Sequence, residues 1–390
     1  MFQWRKCKIK KKKKTFIALT LLFSFSLPSF ALSWSGVIDN TTKFTENHDF
    51  SEPGLEQSNG VYLSLRTPLS KKGSLVFDAE ALYKYNLKCA FKTNTSSFKN
   101  IVDCDLFRLS GLWKLGNGTL NFNAGRFFVN DSNGIVYNQI SDGLLLSYTA
   151  RKIDLKFYAG YTGLLNRMNV SMTENALVSE ENDNFYRLCP QYIPVSIDFS
   201  YKSLFNKHTL GIQGEAFFPL SEKLTQKTYG SLYLKGSVAN FGSYDASFTL
   251  GVVKFEKIML DAKADFNYFV SNGMITAGLE YLSSASDSML AFTSITSRTV
   301  TNDSLFAGGI IPKVAYMYAK GKLYASVTGK GIIAMSDNNT KFHGIDASGT
   351  VVINVFSDLQ ISGILDAFIG FDEAKNASNY AATLKAALQF

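Results

Sequence analysis

Residues 257–269 read KIMLDAKADFNYF, and the character of the side chain changes at every step. Ile258, Leu260, Ala262, Ala264, Phe266 and Tyr268 fall on one face of an extended chain. Asp261, Lys263, Asp265 and Asn267 fall on the other. Successive side chains of a strand point to opposite faces, so this alternation describes a strand with one apolar and one polar surface. A helix would mix the two sets on every face.

The pattern recurs. SLVFDAEALYKY sets Leu75, Phe77, Ala79, Ala81, Tyr83 and Tyr85 against Asp78, Glu80 and Lys84. KLYASVTGKGII, TLGIQGEAFF and DLQISGILDAFIG behave alike. The segments run to about 10–13 residues, the length that crosses a bilayer as a tilted strand, whereas globular strands centre on about 5–6. Aromatic residues, among them Tyr161 and Tyr201, close many apolar faces, where membrane barrels carry interfacial girdles. No later stretch offers about 18 consecutive apolar residues, so no transmembrane helix is expected.

Connectors alternate between short and long. SKKG, GNG, ARK, NFGS, SNG, AKG and FSD are tight turns built from Gly, Asn, Ser and Lys. Longer connectors are expected at 44–58, 88–103, 129–140, 163–192, 219–227, 285–304, 335–342 and 371–378, with a tight KFEK reversal at 254–257 in a long-connector slot. The fold class predicted is all-β, a transmembrane up-and-down antiparallel β-barrel of about 18 strands, or 16 as the alternative, with short periplasmic turns and longer outer loops. The uncertain strands are the one near LSWSGVIDN and the one holding Pro312, which interrupts a ladder unless it sits at a bulge or strand start.

The formal charge of +8 does not describe the barrel. Eight of the 40 Lys+Arg lie within residues 1–31, which hold no acid, and the remaining basic residues match the 32 acids. Nothing here points to nucleic acid. KCKIKKKKK, the apolar FIALTLLFSFSL and then PSFA have the layout of a cleaved secretory signal peptide, with cleavage expected after Ala31. Residues 32–390 then form a single barrel domain in the outer membrane of a two-membrane bacterium.

A sheet in lipid cannot leave an edge unpaired, because each orphan backbone group costs several kcal/mol there. The last strand, NYAATLKAALQF, must therefore pair with the first. Here the chain resembles a bacterial outer-membrane porin. Tyr380, Leu384, Leu388 and terminal Phe390 resemble the signal read by the outer-membrane assembly machinery, which the resemblance implies as a partner. Gly125-Arg126, Asp142-Gly143 and Tyr158 to Tyr161 also match a general-porin layout, in which a GR strand end leads through a loop to a DG opening. The resemblance implies contact with lipid and lipopolysaccharide and a possible homotrimer. In trimeric general porins the third outer loop is long and folds into the pore. Here 129–140 is short and 163–192 is the longest, so a constriction is expected to be differently built or absent.

With the apolar face on lipid, the lumen receives Arg66, Asp78, Glu80, Lys84, Arg108, Lys114, Lys156, Asp198, Lys202, Glu215, Lys235, Asp245, Asp261, Lys263, Asp265, Glu280, Lys322, Lys330, Asp346, Asp366 and Lys385. The mixture of signs predicts weak ion selectivity. Basic residues on early strands and acids on late ones predict a transverse field across the pore. The function expected is passive diffusion of small hydrophilic solutes, without cofactor, metal or catalysis. The alternatives are an adhesin or a plugged transporter for lipid or polysaccharide.

Cys89 and Cys104 bracket the expected second outer loop. A bridge between them would close about 15 residues and contribute roughly 3 kcal/mol. Free thiols, or a bridge to Cys189, are the alternatives. His48, His208 and His343 fall on separate elements and form no catalytic constellation.

Overall fold

The computed structural model describes residues 32–174, 185–205, 207–286, 289–296, 308–336 and 339–390. The expected signal peptide and its cleavage point at Ala31 lie outside them. Within them the chain forms one 18-stranded antiparallel sheet that closes on itself. In chain order the strands are β1 (Ser33–Asn47), β2 (Gly54–Pro68), β3 (Leu75–Ala90), β4 (Thr95–Leu115), β5 (Gly118–Asn130), β6 (Asn138–Thr149), β7 (Ile153–Tyr161), β8 (Tyr192–Leu204) and β9 (His208–Pro219). They continue as β10 (Lys227–Val238), β11 (Gly242–Val253), β12 (Lys257–Val270), β13 (Gly273–Leu282), β14 (Gly309–Lys320), β15 (Leu323–Ser336), β16 (Asn339–Asn354), β17 (Leu359–Gly370) and β18 (Asn379–Gln389). The count is the larger of the two expected.

Each strand pairs with its sequence neighbour, and β1 pairs with β18 from Val37↔Gln389 to Asn47↔Asn379. No edge remains, as lipid demands. Connectors after even-numbered strands are short turns, helped by left-handed glycines at Gly73, Gly116 and Gly321. Those after odd-numbered strands, here named L1 to L9, lie at the opposite rim. The outward face is apolar, with exposed Phe157, Phe199, Ile212, Leu232, Phe248, Leu279, Val327 and Leu365. No described helix is long and apolar enough to cross a membrane.

Several expected loops are strand instead. L2 is only residues 91–94, because β3 and β4 pair up to Ala90↔Thr95. L1 and L8 shrink similarly. Ser, Thr, Asn and Lys dominate these extensions, so apolar alternation fades, but paired backbone needs no apolar face once it stands in water. Pro312 behaves as its chemistry requires: β14 pairs with β15 at Ile310↔Ile333 and next at Lys313↔Lys330, skipping the proline.

The Cys89–Cys104 bridge is overturned. All three described cysteines are free. Cys89 lies opposite Ser96, and Cys104 opposite Ala81. The thiols are eight positions apart along one ladder, about 27 Å at the usual strand rise, far beyond disulfide reach. The expectation failed because the presumed loop between them is a strand.

A constriction built from three loops

L3 is residues 131–137, and one carboxylate shapes it. Asp131 accepts the backbone N–H groups of Asn133 (2.9 Å), Ile135 (3.1 Å), Val136 (2.5 Å) and Tyr137 (2.8 Å). The loop folds into the barrel and ties its tip to three strands of the inner wall. The Ser132 amide donates to Gln213 on β9 (2.9 Å), and its hydroxyl donates to Asp198 on β8 (2.6 Å). Lys235 on β10 donates to the Ser132 carbonyl (2.7 Å).

L4 and L7 complete the structure. The Val136 carbonyl accepts N–H groups from Ile295 (3.0 Å) and Thr296 (3.2 Å), and the Thr173 amide donates to the Ile295 carbonyl (2.9 Å). Three loops are thus knitted through their backbones. Beneath them the inner wall is aromatic. Phe127, Tyr158, Phe217, Tyr229 and Met259 pack against Val136, Leu165, Met172 and Ile295 in one buried cluster. Buried Tyr hydroxyls need partners. Tyr229 donates to the Thr293 carbonyl (2.7 Å), and Tyr137 and Tyr158 both donate to Ser141 (2.8 and 2.5 Å).

L4 also reaches β3 and β4. Asn169 donates to Asp103 (2.9 Å) and Asp105 (2.5 Å) on β4 and accepts from Lys84 on β3 (3.3 Å). Five residues on, Glu174 pairs with Lys227 on β10 (3.0 Å). The constriction is therefore present and differently built: short L3, long L4 and L7 share it.

Where β4 rises beyond its pairing with β5, Arg126 fills the fork. Its guanidinium donates to both oxygens of Asp142 (2.7 and 2.9 Å), to Asp103 (3.1 Å) and to the carbonyls of Cys104 (3.2 Å) and Leu164 (2.9 Å). The neighbouring Gly125 has φ +115°, and a Cβ there would stand 2.1 Å from the Phe107 carbonyl oxygen. The GR and DG dipeptides of the sequence are thus one structural joint.

Alternation places the charged residues named from sequence on the inner face, but they do not form a basic wall facing an acidic one. Asp78 lies between Arg108 (2.8 Å) and Arg66 (3.7 Å) on the early strands. Asp265 takes Lys313 (2.7 Å) and Lys263 (3.4 Å), and Asp346 takes Lys330 (3.4 Å), on the late ones. Lys156 and Asp198 (3.5 Å), Lys235 and Asp245 (3.2 Å), and Lys202 and Asp154 (2.6 Å) pair likewise. Glu80 accepts from Ser64 (2.5 Å). Glu215 and Asp261 are buried, and Glu280 and Asp366 lie on the inner sides of β13 and β17. Lys114 is exposed near the turn after β4, Lys322 donates to the Val355 carbonyl (2.9 Å) at a turn, and Lys385 lies opposite Thr41. Alternation could identify none of Asp131, Ser132, Asn169 or Lys313 as a loop tether or ion-pair partner, since their partners are distant in sequence.

In L4, burial pushes the Cys189 thiol up to about 12 and also raises the Tyr186 phenol. No group of three His, Cys, Asp or Glu among the described residues is arranged to hold a metal. His208 contacts Tyr244 (2.8 Å) at the turn rim.

No protein-family model and no curated protein matches this chain. Solved structures do. Pseudomonas aeruginosa OpdQ superposes with a TM-score of 0.60 at 13% identity, over 92% of this chain and 98% of that one. P. aeruginosa OccK9 (OpdG) gives 0.61 at 13% identity, with the same coverage. P. aeruginosa OpdK with vanillate gives 0.60 at 11% identity, again over 92% and 98%. OpdK is an outer membrane protein. The chain therefore has the β-barrel fold of these Pseudomonas outer-membrane proteins.

Proposed function

We propose that this chain is an outer-membrane porin, a water-filled channel for passive diffusion of small hydrophilic solutes. The observation that carries this reading is the solvated charge inside a closed barrel. The side chains of Arg66, Lys156 and Asp245 remain 66%, 48% and 44% exposed although they line the inner face. Loops L3, L4 and L7 narrow the passage against β5–β12. Solutes move down their gradient past cross-strand pairs of both signs, which favours weak ion selectivity. The mechanism needs no bound group and no chemical step.

Export through a signal peptide cut after Ala31, and recognition of Tyr380, Leu384, Leu388 and Phe390 by the assembly machinery, belong to the same proposal. So does contact of the outward rim with lipopolysaccharide.

The test is single-channel current from refolded residues 32–390 in a planar bilayer, with reversal potential in a salt gradient. Stable open steps of low selectivity are expected. A folded, heat-modifiable barrel that carries no current would sink the channel and favour a plugged transporter or an adhesin. One OpdK crystal structure is with vanillate, so this aromatic carboxylate is a fitting first solute for a vesicle-swelling assay here.

A further inference from the structure

The two rims of the barrel differ in charge. At the loop rim lysines find acids: Lys88 pairs with Glu56 (2.5 Å) and Lys92 with Glu52 (2.7 Å). The turn rim runs otherwise. The β2–β3 turn carries Lys71 and Lys72, Lys114 leads into the β4–β5 turn, Arg151 and Lys152 form the β6–β7 turn, and Lys207 lies in the β8–β9 turn. All six side chains are exposed. None has a hydrogen-bond or ion-pair partner among the described residues. Within three residues of these turns the sequence holds one acid, Asp154, and Lys202 already takes it (2.6 Å).

Round the rest of the rim the pattern stops. The β10–β11 and β12–β13 turns have no charged residue within three positions, and the β16–β17 turn holds an acid, Asp358. The β14–β15 turn has Lys320 and Lys322, of which Lys322 donates to the Val355 carbonyl (2.9 Å). Reversal of the chain therefore does not call for charge, since Asn240 and Asn272 serve equivalent turns without it. Strands about 4.8 Å apart and tilted about 40° advance about 6.3 Å each round the wall, so the basic arc from the β2–β3 turn to the β8–β9 turn is roughly 38 Å long. Exposed Leu69, Trp113, Leu115 and Phe205 lie beside the cations and mark the edge of the apolar band, which leaves the turn tips on its water side.

We propose that this arc is a docking surface for an acidic polypeptide segment on the turn side of the membrane. Like charges on neighbouring tips repel one another, and a single chain of carboxylates answers them together. The lipid leaflet surrounds the barrel evenly, whereas the cations crowd onto four consecutive turns of one side. A small anion needs donors that converge, and these stand on separate tips. An extended segment advancing about 3.3 Å per residue covers the arc with about 12 residues. The inference requires the barrel to stand in a membrane, not that it conduct.

The experiment uses refolded residues 32–390 in discs of phosphatidylcholine. A fluorescent peptide of twelve glutamates is titrated at low salt and followed by anisotropy. One variant carries Lys71→Gln, Lys72→Gln, Arg151→Gln and Lys152→Gln. A second, with the same net charge, carries Lys320→Gln, Lys322→Gln, Lys254→Gln and Lys257→Gln. Folding of each is checked by heat-modifiable mobility. Peptide affinity should fall about tenfold or more in the first and less than about twofold in the second. The half-variant Lys71→Gln with Lys72→Gln, which disturbs a single turn, should lose about threefold. Equal losses in the two fourfold variants, or no binding to wild type, would overturn the proposal. Phosphatidylglycerol retained by the barrel is counted in parallel by native mass spectrometry. A deficit confined to the first variant, with peptide affinity unchanged, would give the arc to the leaflet and overturn the proposal too. Channel current enters none of these readings, so the pore stands or falls by its own test.

Discussion

Phe390 and Gly36 exchange both backbone hydrogen bonds across the closing seam. The Phe390 amide donates to the Gly36 carbonyl (2.9 Å), and the Gly36 amide donates to the Phe390 carbonyl (2.8 Å). The phenylalanine ring occupies the space where a Gly36 side chain would begin: a Cβ there would be 2.4 Å from the ring. The terminal residue is therefore the last rung of the barrel as well as an aromatic at its rim.

Deleting Phe390 should leave one pair of backbone groups unmet at the turn rim and slow closure. The heat-modifiable fraction after a fixed refolding time should fall, and Gly36→Val should lower it too by displacing the ring. Unchanged yields for both variants would remove the role assigned to this seam.

Arg126 is mostly buried and satisfied by two carboxylates and two carbonyls. Removing one member of such a set strands the others, at a cost of about 3–5 kcal/mol. Arg126→Ala should lower the urea midpoint of the barrel in vesicles and open L4 to added protease. Arg126→Lys should rescue little, because a single ammonium cannot span Asp142 in bidentate fashion.

The three cysteines should all titrate as thiols after unfolding, with no mobility change on adding reductant before it. Cys189 should react with maleimide far more slowly than Cys89 in the folded barrel. Its raised thiol pKa also sets a sign. The folded state holds the proton more tightly than the unfolded one, so the stabilisation is complete below about 9 and is lost as pH rises toward about 12. Cys189→Ala should flatten that alkaline decline in unfolding experiments.

Ser132 binds β8, β9 and β10 through three different atoms. Asp198→Ala removes one of these anchors and also the partner of Lys156. Single-channel current should become noisier and its mean larger as L3 leaves the wall. A conductance identical to wild type would mean that L3 does not set the bore.

The barrel was legible because its physics repeats every second residue. Lys263, Asp265 and their neighbours declare two faces over a length only a membrane requires, and turn chemistry supplies the count. What the period cannot report is anything irregular. The upper parts of β3 and β4 lose apolar alternation, so they read as a loop and brought Cys89 and Cys104 falsely together. The constriction escaped for a related reason. Asp131 announces itself only by four backbone partners, and Ile295 meets Val136 more than a hundred residues away. The period sorts charges to one side of each strand but cannot name their partners, since Lys313 reaches Asp265 across the β13 position Gly278.

The backbone joins between L3, L4 and L7 stand clear of the ladder that closes β1 on β18. Gauge and frame are thus written in different stretches of the gene. A few codons in three loops can reshape the interior, while the stretch that closes the wall stays unaltered. Such a chain can change its bore without disturbing its closure.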